Sequence, residues 1–341
     1  MKKKSGILLL ALAVAATSVF AQTKPKIGVT IYKFDDTFMS YVRGKIESEA
    51  KAAGVPISVQ DGQGDQSKVN DIQDLFLTQG YNSLAINMVE PTAANVVIQK
   101  VSARKVPVVF FNREPDASDL AKYPMAYYVG AKAQASGTIQ GQIIAEYWKA
   151  HPDADKNKDG KLQYVMLMGD PANTDAKFRT EYAIKGVTDA GIKVESLAED
   201  TAMWSRGDAQ NKMQAWLAKF GDKIEVVFAN NDDMALGAIE ALKAAGYFAG
   251  GKKFIPVVGV DATPPALDAI KQGTLLGTAL NDSNKQGKAV FDLSSELGSG
   301  AKVLKTVVPL ANADGTPNPA GHYVWIPYTK VTKDNYTQFV K

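Results

Sequence analysis

Short apolar runs alternate with amphipathic segments along most of the chain. In the first half, apolar runs cover residues 26–32, 57–60, 83–88, 106–112 and 127–130. Helix-forming segments with one apolar face lie between them at residues 37–53, 66–79 and 93–104. Continuous apolar strands separated by amphipathic helices are typical of a parallel sheet that is covered on both faces. This half therefore predicts one doubly wound α/β domain.

The same alternation begins again after residue 161. Strands are predicted at residues 162–168, 194–197, 226–229, 255–260 and 277–280. Helices are predicted between them at residues 174–189, 208–219, 234–245 and 265–272. We therefore predict an α/β protein with two doubly wound parallel-sheet domains. A further amphipathic helix at residues 285–297 could belong to either domain. If it belongs to the first domain, the chain crosses between the domains more than once, and these crossings would form a hinge.

Residues 1–21 predict a secretory signal peptide. Three lysines precede an apolar run at residues 7–16, and small residues stand at the two positions that decide cleavage before Gln22. The run is too short to span a bilayer, which needs about 20 residues. We expect an exported, soluble protein that begins at Gln22.

Removal of this peptide changes the charge of the chain. The number of basic residues falls from 39 to 36, which equals the 36 acidic residues. A neutral surface gives no electrostatic case for binding nucleic acid or an anionic membrane. The chain has no cysteine, which excludes disulfides, thiolate metal sites and a lipidated cysteine.

Residues 155–163 match the first nine positions of an EF-hand calcium loop. Oxygen-bearing side chains stand at relative positions 1, 3, 5 and 9, namely Asp155, Asn157, Asp159 and Gln163. Gly160 occupies the sharp turn, and Lys161 offers its backbone carbonyl at position 7. The twelfth position should be Glu but is Met166, so a calcium ion would need a carboxylate from another segment. The alternative is an ordinary surface turn rich in Asn, Asp and Gly.

Polar and aromatic residues follow the predicted strands. In open parallel sheets, ligands bind beyond the carboxyl ends of the strands. The residues there are Asp36, Phe38, Asn112, Arg113, Glu114, residues 170–179, Trp204, Asn230, Asn231, Asp232, Asp261, Asn281 and Asp282. Paired hydrogen-bonding groups together with aromatic rings suit a hydroxyl-rich sugar. The alternatives are helix caps for each Asp and Asn, and a core position for Trp204.

Seven segments together resemble the periplasmic galactose/glucose-binding proteins of bacterial ABC sugar transporters, over essentially all of the mature length. They are IGVTIYKFDDTFM (27–39), VPVVFFNREP (106–115), DKNKDGKLQ (155–163), DTAMW (200–204), ANNDDMALGAIEALK (229–243), GVDATP (259–264) and LNDSN (280–284). The resemblance implies the type I fold of periplasmic binding proteins, with two lobes joined by a hinge of several crossovers. We assign residues 22–131 and 282–323 to the N-terminal lobe, and 132–281 and 324–341 to the C-terminal lobe.

The resemblance also implies the site residues. A sugar would be held by Asp36, Asn112, Asp175, Arg179, Asn231, Asp261 and Asn281, with Phe38 and Trp204 on the two faces of the ring. Glu195 would supply the missing calcium carboxylate. The family usually has a histidine at the place of Asn173, so the sequence does not fix which hydroxyl this residue contacts, or the choice between glucose and galactose.

Three functions compete at this point. The leading one is a monomeric periplasmic receptor that closes on a hexose and presents it to an ABC permease and a chemoreceptor. A calcium-stabilised glycosidase is the alternative, because Asp36, Asp175 and Asp261 could pair as catalytic carboxylates. Against it, we expect Arg179 and the asparagines to hold those carboxylates ionised. A sugar-responsive regulator would need a DNA-binding module where the signal peptide stands.

Overall fold

The computed structural model describes residues 24–249, 253–301, 304–305 and 309–340. The predicted signal peptide lies outside them. The strands, in chain order, are β1 (Ile27–Ile31), β2 (Ile57–Asp61), β3 (Ser83–Ile86), β4 (Val108–Phe111), β5 (Ala126–Gly130), β6 (Lys161–Met168), β7 (Lys193–Thr201), β8 (Val226–Ala229), β9 (Val257–Asp261), β10 (Gly277–Leu280), β11 (Tyr323–Trp325) and β12 (Thr329–Thr332).

Helices connect most of these strands. They are α1 (Thr37–Ala53), α2 (Gln66–Thr78), α3 (Ala94–Ala103), α4 (Ala117–Leu120), α5 (Ala133–Ala150), α6 (Thr174–Asp189), α7 (Arg206–Phe220), α8 (Asp232–Ala244), α9 (Pro264–Gln272) and α10 (Ser283–Gly298). None of the helices in the described part of the chain has the length and apolarity needed to cross a membrane.

The strands form two sheets, one in each lobe. The first has the order β11-β5-β4-β3-β1-β2 and is parallel throughout. The second has the order β12-β10-β9-β8-β6-β7 and is parallel except for the edge pair β10 and β12. Every residue of β1, β3, β4 and β8 is buried, as expected for strands between two layers of helices. The predicted fold class is confirmed.

The part of the chain that the structure describes passes between the lobes three times. α5 packs against α6 and β10, so the first crossing follows β5, whereas α10 packs against α1 and returns to the first lobe. The last crossing separates β11, in the first sheet, from β12, in the second. The expected boundary after residue 323 therefore falls inside β11, and the crossing follows Trp325. These crossings form the hinge.

Some of the described elements were not predicted, among them α5, α4 and β12. α5 contains Gly137 and Gly141, which lower helix propensity, and α4 has only four residues. β12 is a four-residue antiparallel edge strand with no apolar run. Each depends on packing against the rest of the lobe more than on its own sequence.

Candidate functional site

A small cavity of about 30 Å³ lies between the lobes, at the carboxyl ends of the strands. Its lining residues are Tyr32, Asp36, Phe38, Met39, Asn112, Arg113, Asn173, Asp175, Arg179, Trp204, Asn231, Asp261 and Asn281. The structure thus brings together all ten residues that we predicted as ligand contacts. That they contact a ligand stays a prediction.

The first lobe contributes residues that follow β1 and β4. Asp36 caps α1 by accepting the Met39 N–H at 2.7 Å, and its other oxygen accepts the Tyr32 hydroxyl at 2.5 Å. Asn112 has a φ of 64°, and its backbone carbonyl accepts the Tyr128 hydroxyl at 2.9 Å. Phe38 is buried in the first turn of α1. Both polar residues are therefore held in place before any ligand arrives.

The start of α6 supplies three residues of the second lobe. Asn173 caps the helix, with its Oδ1 accepting the Asp175 N–H at 3.0 Å. Arg179 lies one turn further and forms an ion pair with Asp175 at 2.9 Å. Its guanidinium also donates to the Asn230 carbonyl at 2.8 Å and to the Tyr328 hydroxyl at 3.1 Å, in the segment of the last crossing. Arg179 is only 4% exposed, so these contacts fix its orientation.

Trp204 stands in an unusual backbone conformation. Met203 and Trp204 have φ values of 50° and 64°, in the left-handed region that residues with side chains rarely adopt. A Cβ at Gly169 would lie 2.2 Å from the Trp204 ring, so only glycine fits behind the indole. Thr201 ties the two segments together by donating its hydroxyl to the Gly169 carbonyl at 2.6 Å. Gly169 therefore decides how far the indole reaches into the cavity.

Three further residues follow β8, β9 and β10. Asn231 caps α8 by accepting the Met234 N–H at 2.9 Å. Asp261 ends β9 with a φ of 127°, and its carbonyl accepts the Asn281 N–H at 3.3 Å. Asp261 and Asn281 are buried, which means that their polar groups cannot be solvated by bulk water.

Burial dominates the electrostatics of the three carboxylates. It raises the pKa of Asp36, Asp175 and Asp261 above the ordinary aspartate value. Arg179 lowers the pKa of Asp175 and Asp261, but by less than burial raises it. We expected Arg179 and the asparagines to hold these carboxylates ionised; Arg179 does lower the pKa of two of them, but desolvation in a closed cavity is the larger effect on each pKa.

Three buried atoms of the lining have no hydrogen-bond partner within the described part of the chain. They are the Arg179 Nε, the Trp204 Nε1 and the Asn281 Oδ1. Buried polar groups are nearly always hydrogen-bonded, because an unpaired one costs about 1–3 kcal/mol. Two donors and one acceptor on residues that line a cavity therefore fit a ligand that carries both kinds of group, as hydroxyls do.

Sequence reasoning missed Tyr32 and Met39 as lining residues, and it placed Arg113 at a strand end without assigning it to the ligand. Arg113 stacks on the Tyr32 ring at 4.0 Å from its centroid and forms an ion pair with Asp170 at 3.2 Å. Arg113 belongs to the first lobe and Asp170 to the second. Both stood at strand ends in the sequence, which was the available signal. Their pairing depends on how closely the two lobes approach each other. The distance between Arg113 and Asp170 cannot be read from the sequence.

The loop at residues 155–163 folds around its own side chains. Asp155 accepts the N–H groups of Asp159 and Gly160 at 3.2 and 2.9 Å, and Asn157 accepts the Asp159 N–H at 3.0 Å. Gly160 has a φ of 74°, as the sharp turn requires. Gln163 Nε2 donates to Asp159 at 2.8 Å. The loop thus has the internal hydrogen bonds of a turn whatever it binds.

Glu195 lies beside this loop, on β7. It pairs in register with Gln163 of β6, and its carboxylate is 3.1 Å from the Lys161 Nζ. The Gln163 Oε1 is buried and has no partner among the described residues. Within the same residues, no group of three or more His, Cys, Asp or Glu side chains is arranged to hold a metal ion. The structure places the predicted ligands in one neighbourhood, and calcium binding stays a prediction.

Comparison with known proteins decides the family. A family profile described as a periplasmic binding protein domain matches residues 27–302. The chain belongs to the periplasmic binding protein family. It is 45% identical to the D-galactose/methyl-galactoside binding periplasmic protein MglB of Haemophilus influenzae, over 100% of both chains.

More distant relatives of this periplasmic binding protein have other ligands in their names. A putative rhizopine-binding protein of Rhizobium meliloti is 31% identical over 99% of this chain and 98% of its own. A solute binding protein of an ABC transporter from Bacillus halodurans, solved with bound myo-inositol, superimposes with a TM-score of 0.78 at 25% identity, over 94% of this chain and 98% of that one. The protein is therefore a binding protein and not an enzyme, which excludes the glycosidase alternative.

Proposed function

We propose that this protein is a periplasmic receptor that closes on a hexose, D-galactose or D-glucose, and delivers it to an ABC permease. One observation carries the proposal. The Arg179 Nε, the Trp204 Nε1 and the Asn281 Oδ1 are buried, have no hydrogen-bond partner among the described residues, and belong to residues that line one cavity between the lobes. The sugar-binding relative that matches along its whole length supports the choice of a hexose.

We infer closure of the lobes because the proposed sugar contacts come from both lobes. Asp36, Phe38 and Asn112 belong to one lobe, whereas Asp175 and Trp204 belong to the other. A small ligand can touch both sets only when the lobes are together, so it binds the closed form better. That difference in affinity shifts the hinge equilibrium toward closure.

Asn173 contributes a donor to this site. Its Oδ1 accepts the Asp175 N–H, so the amide nitrogen is the atom that remains for a ligand. An amide nitrogen only donates hydrogen bonds. Asn173 therefore donates a hydrogen bond from its amide nitrogen to a sugar oxygen.

Calorimetric titration tests the binding proposal. Galactose and glucose should bind protein that has been unfolded and refolded to remove endogenous ligand, with ribose and myo-inositol as comparison ligands. Asn281→Leu, which removes the unpaired acceptor, should weaken hexose binding. Lys243→Ala, at the exposed end of α8 in the same lobe, is the matched control and should bind as the wild type does. Absence of binding by both hexoses would refute the proposal.

The partners follow from the same role. The membrane subunits of an ABC permease are the proposed acceptors of the closed form, and a chemoreceptor is a second candidate partner. We propose that the receptor acts as a monomer in the periplasm after cleavage before Gln22. The mass of the exported protein tests the cleavage, since a retained Met1 would contradict it.

We also propose that the loop at residues 155–163 holds a structural calcium ion. The donors would be the side chains of Asp155, Asn157, Asp159, Gln163 and Glu195, with the backbone carbonyl of Lys161. Two observations support the fit: the Gln163 Oε1 is a buried acceptor without a partner among the described residues, and Glu195 stands opposite Gln163 on β7. Oxygen donors of this kind suit calcium. The ion would join the loop to β7 and leave the cavity unchanged.

A further inference from the structure

Asp232 is a buried acidic residue that the contacts described so far do not use. It is the first residue of α8, directly after Asn231, and its exposed fraction is 0%. It is not one of the described residues that line the cavity. An ionisable group so deeply buried needs partners, since transfer of a carboxylate out of water is costly.

One partner of Asp232 follows the end of β9, and the other lies within the neighbouring strand β10. Its Oδ2 accepts the Thr263 N–H at 2.8 Å and the Thr263 hydroxyl at 3.3 Å, and its Oδ1 accepts the Thr278 hydroxyl at 2.7 Å. The Thr278 oxygen in turn accepts the Ala262 N–H at 3.4 Å. A Cβ at Gly259 would be 2.3 Å from the Asp232 Oδ1, so glycine at that position admits the carboxylate against β9.

The segment held by these bonds has a strained backbone. Asp261 and Ala262 have φ values of 127° and 55°, a region that favours glycine. Such conformations cost about 1–3 kcal/mol each and persist only where the surroundings enforce them. The same turn directs Asp261 to the cavity, and the Asp261 carbonyl receives the Asn281 N–H. The strained turn therefore sets the position of two lining residues.

We propose that Asp232 is a positioning residue for the sugar site. Through its hydrogen bonds to Thr263 and Thr278, the carboxylate holds residues 261–262 in the left-handed conformation that presents Asp261 and Asn281 to the ligand. The inference rests on the proposed function, because it assigns Asp232 a role at that site. Without the carboxylate, the turn relaxes toward negative φ and Asp261 is withdrawn.

The first experiment compares two destabilised variants. Asp232→Ala removes the acceptor, whereas Ile239→Ala empties a buried position, 2% exposed, that lies seven residues further along the same helix. Both should lower the melting temperature, since a buried Ile→Ala change alone costs about 2–5 kcal/mol. Hexose affinity should fall about tenfold or more in Asp232→Ala. It should stay within about twofold of the wild type in Ile239→Ala.

A rescue separates positioning from a merely structural role. Glycine adopts positive φ without strain, so Ala262→Gly added to Asp232→Ala should recover most of the lost affinity. Asp232→Asn keeps the shape and one acceptor oxygen and should lie between wild type and Asp232→Ala. Wild-type affinity in Asp232→Ala, an equal loss in Ile239→Ala, or no recovery with Ala262→Gly would overturn the proposal.

A measurement on sugar-free protein keeps the two proposals distinguishable. The Thr263 amide should exchange its hydrogen faster in Asp232→Ala than in the wild type or in Ile239→Ala, because its acceptor is gone. If the wild type binds no hexose, the proposed function fails, while this comparison still decides whether Asp232 holds the turn. Equal exchange of the Thr263 amide in all three proteins would refute that role.

Discussion

The cavity and the loop at residues 155–163 are both built from oxygen and nitrogen side chains, but they are assembled differently. The cavity collects residues from strand ends as far apart in the sequence as Asp36 and Asn281, and most of them are buried. The loop takes its side chains from nine consecutive residues and Glu195, and most of them are exposed. The cavity therefore depends on both lobes, whereas the loop depends on one lobe alone.

The cavity and the loop also differ in how fully their hydrogen-bonding groups are paired within the described part of the chain. The cavity has buried donors and an acceptor without partners in the described part of the chain, whereas the loop satisfies most of its own groups. A site with unpaired buried groups gains more from a ligand. Changes at the cavity should therefore have large effects on sugar binding, and changes at the loop should affect stability instead.

Asp261→Ala should have the largest effect. It removes the carboxylate that faces Arg179 and leaves the Asn281 side chain without that partner. Each buried group left unsatisfied costs about 1–3 kcal/mol, so hexose affinity should fall at least about tenfold in calorimetric titration. Asp268→Ala, an exposed aspartate of α9, is the control. Equal affinities of the two variants would show that Asp261 does not contact the sugar.

Gly169→Ala should have the next largest effect. The added methyl would collide with the Trp204 ring, which must move into the space of the ligand. We expect hexose affinity to fall about tenfold while the protein stays folded, since overpacking costs about 1–3 kcal/mol. Gly207→Ala, in an open position of α7, should bind as the wild type does. Tight binding by Gly169→Ala would mean that the indole does not bound the sugar.

Arg113→Met should have a smaller effect, on closure. It removes the ion pair with Asp170 that joins the lobes, and a charged hydrogen bond is worth about 1.5–3 kcal/mol. Small-angle scattering should show compaction of the wild type with galactose or glucose, and less compaction of the variant at the same sugar concentration. Asp170→Asn should add little to Arg113→Met if the pair acts as a unit. Full compaction of Arg113→Met would contradict the assigned role.

Removal of calcium should have the smallest effect on sugar binding. A ligand that binds only the folded state raises stability by mass action, so a chelator should lower the melting temperature and added calcium should restore it. Hexose affinity should stay measurable throughout. Glu195→Gln should make the melting temperature less sensitive to calcium. A wild-type melting temperature indifferent to both chelator and calcium would refute the calcium proposal.

Local sequence predicted many elements well. The bounds of α1 and α6 agree with the predicted helices at residues 37–53 and 174–189. Asp36 and Asn231 illustrate why single residues were ambiguous, because each is both a helix cap and a lining residue of the cavity. The sequence presents the helix cap and the cavity residue as alternatives. In the structure the same side chain caps a helix and also lines the cavity.

The sequence by itself determined the alternation of buried strands and amphipathic helices, the residue types at the strand ends and the turn at Gly160, because each depends on neighbours along the chain. Tertiary structure alone decided that Arg113 meets Asp170, and that Asp232 bonds to the turn after β9. These features depend on distances between segments that are remote in sequence. Such distances are fixed only when the sheets form and the lobes close.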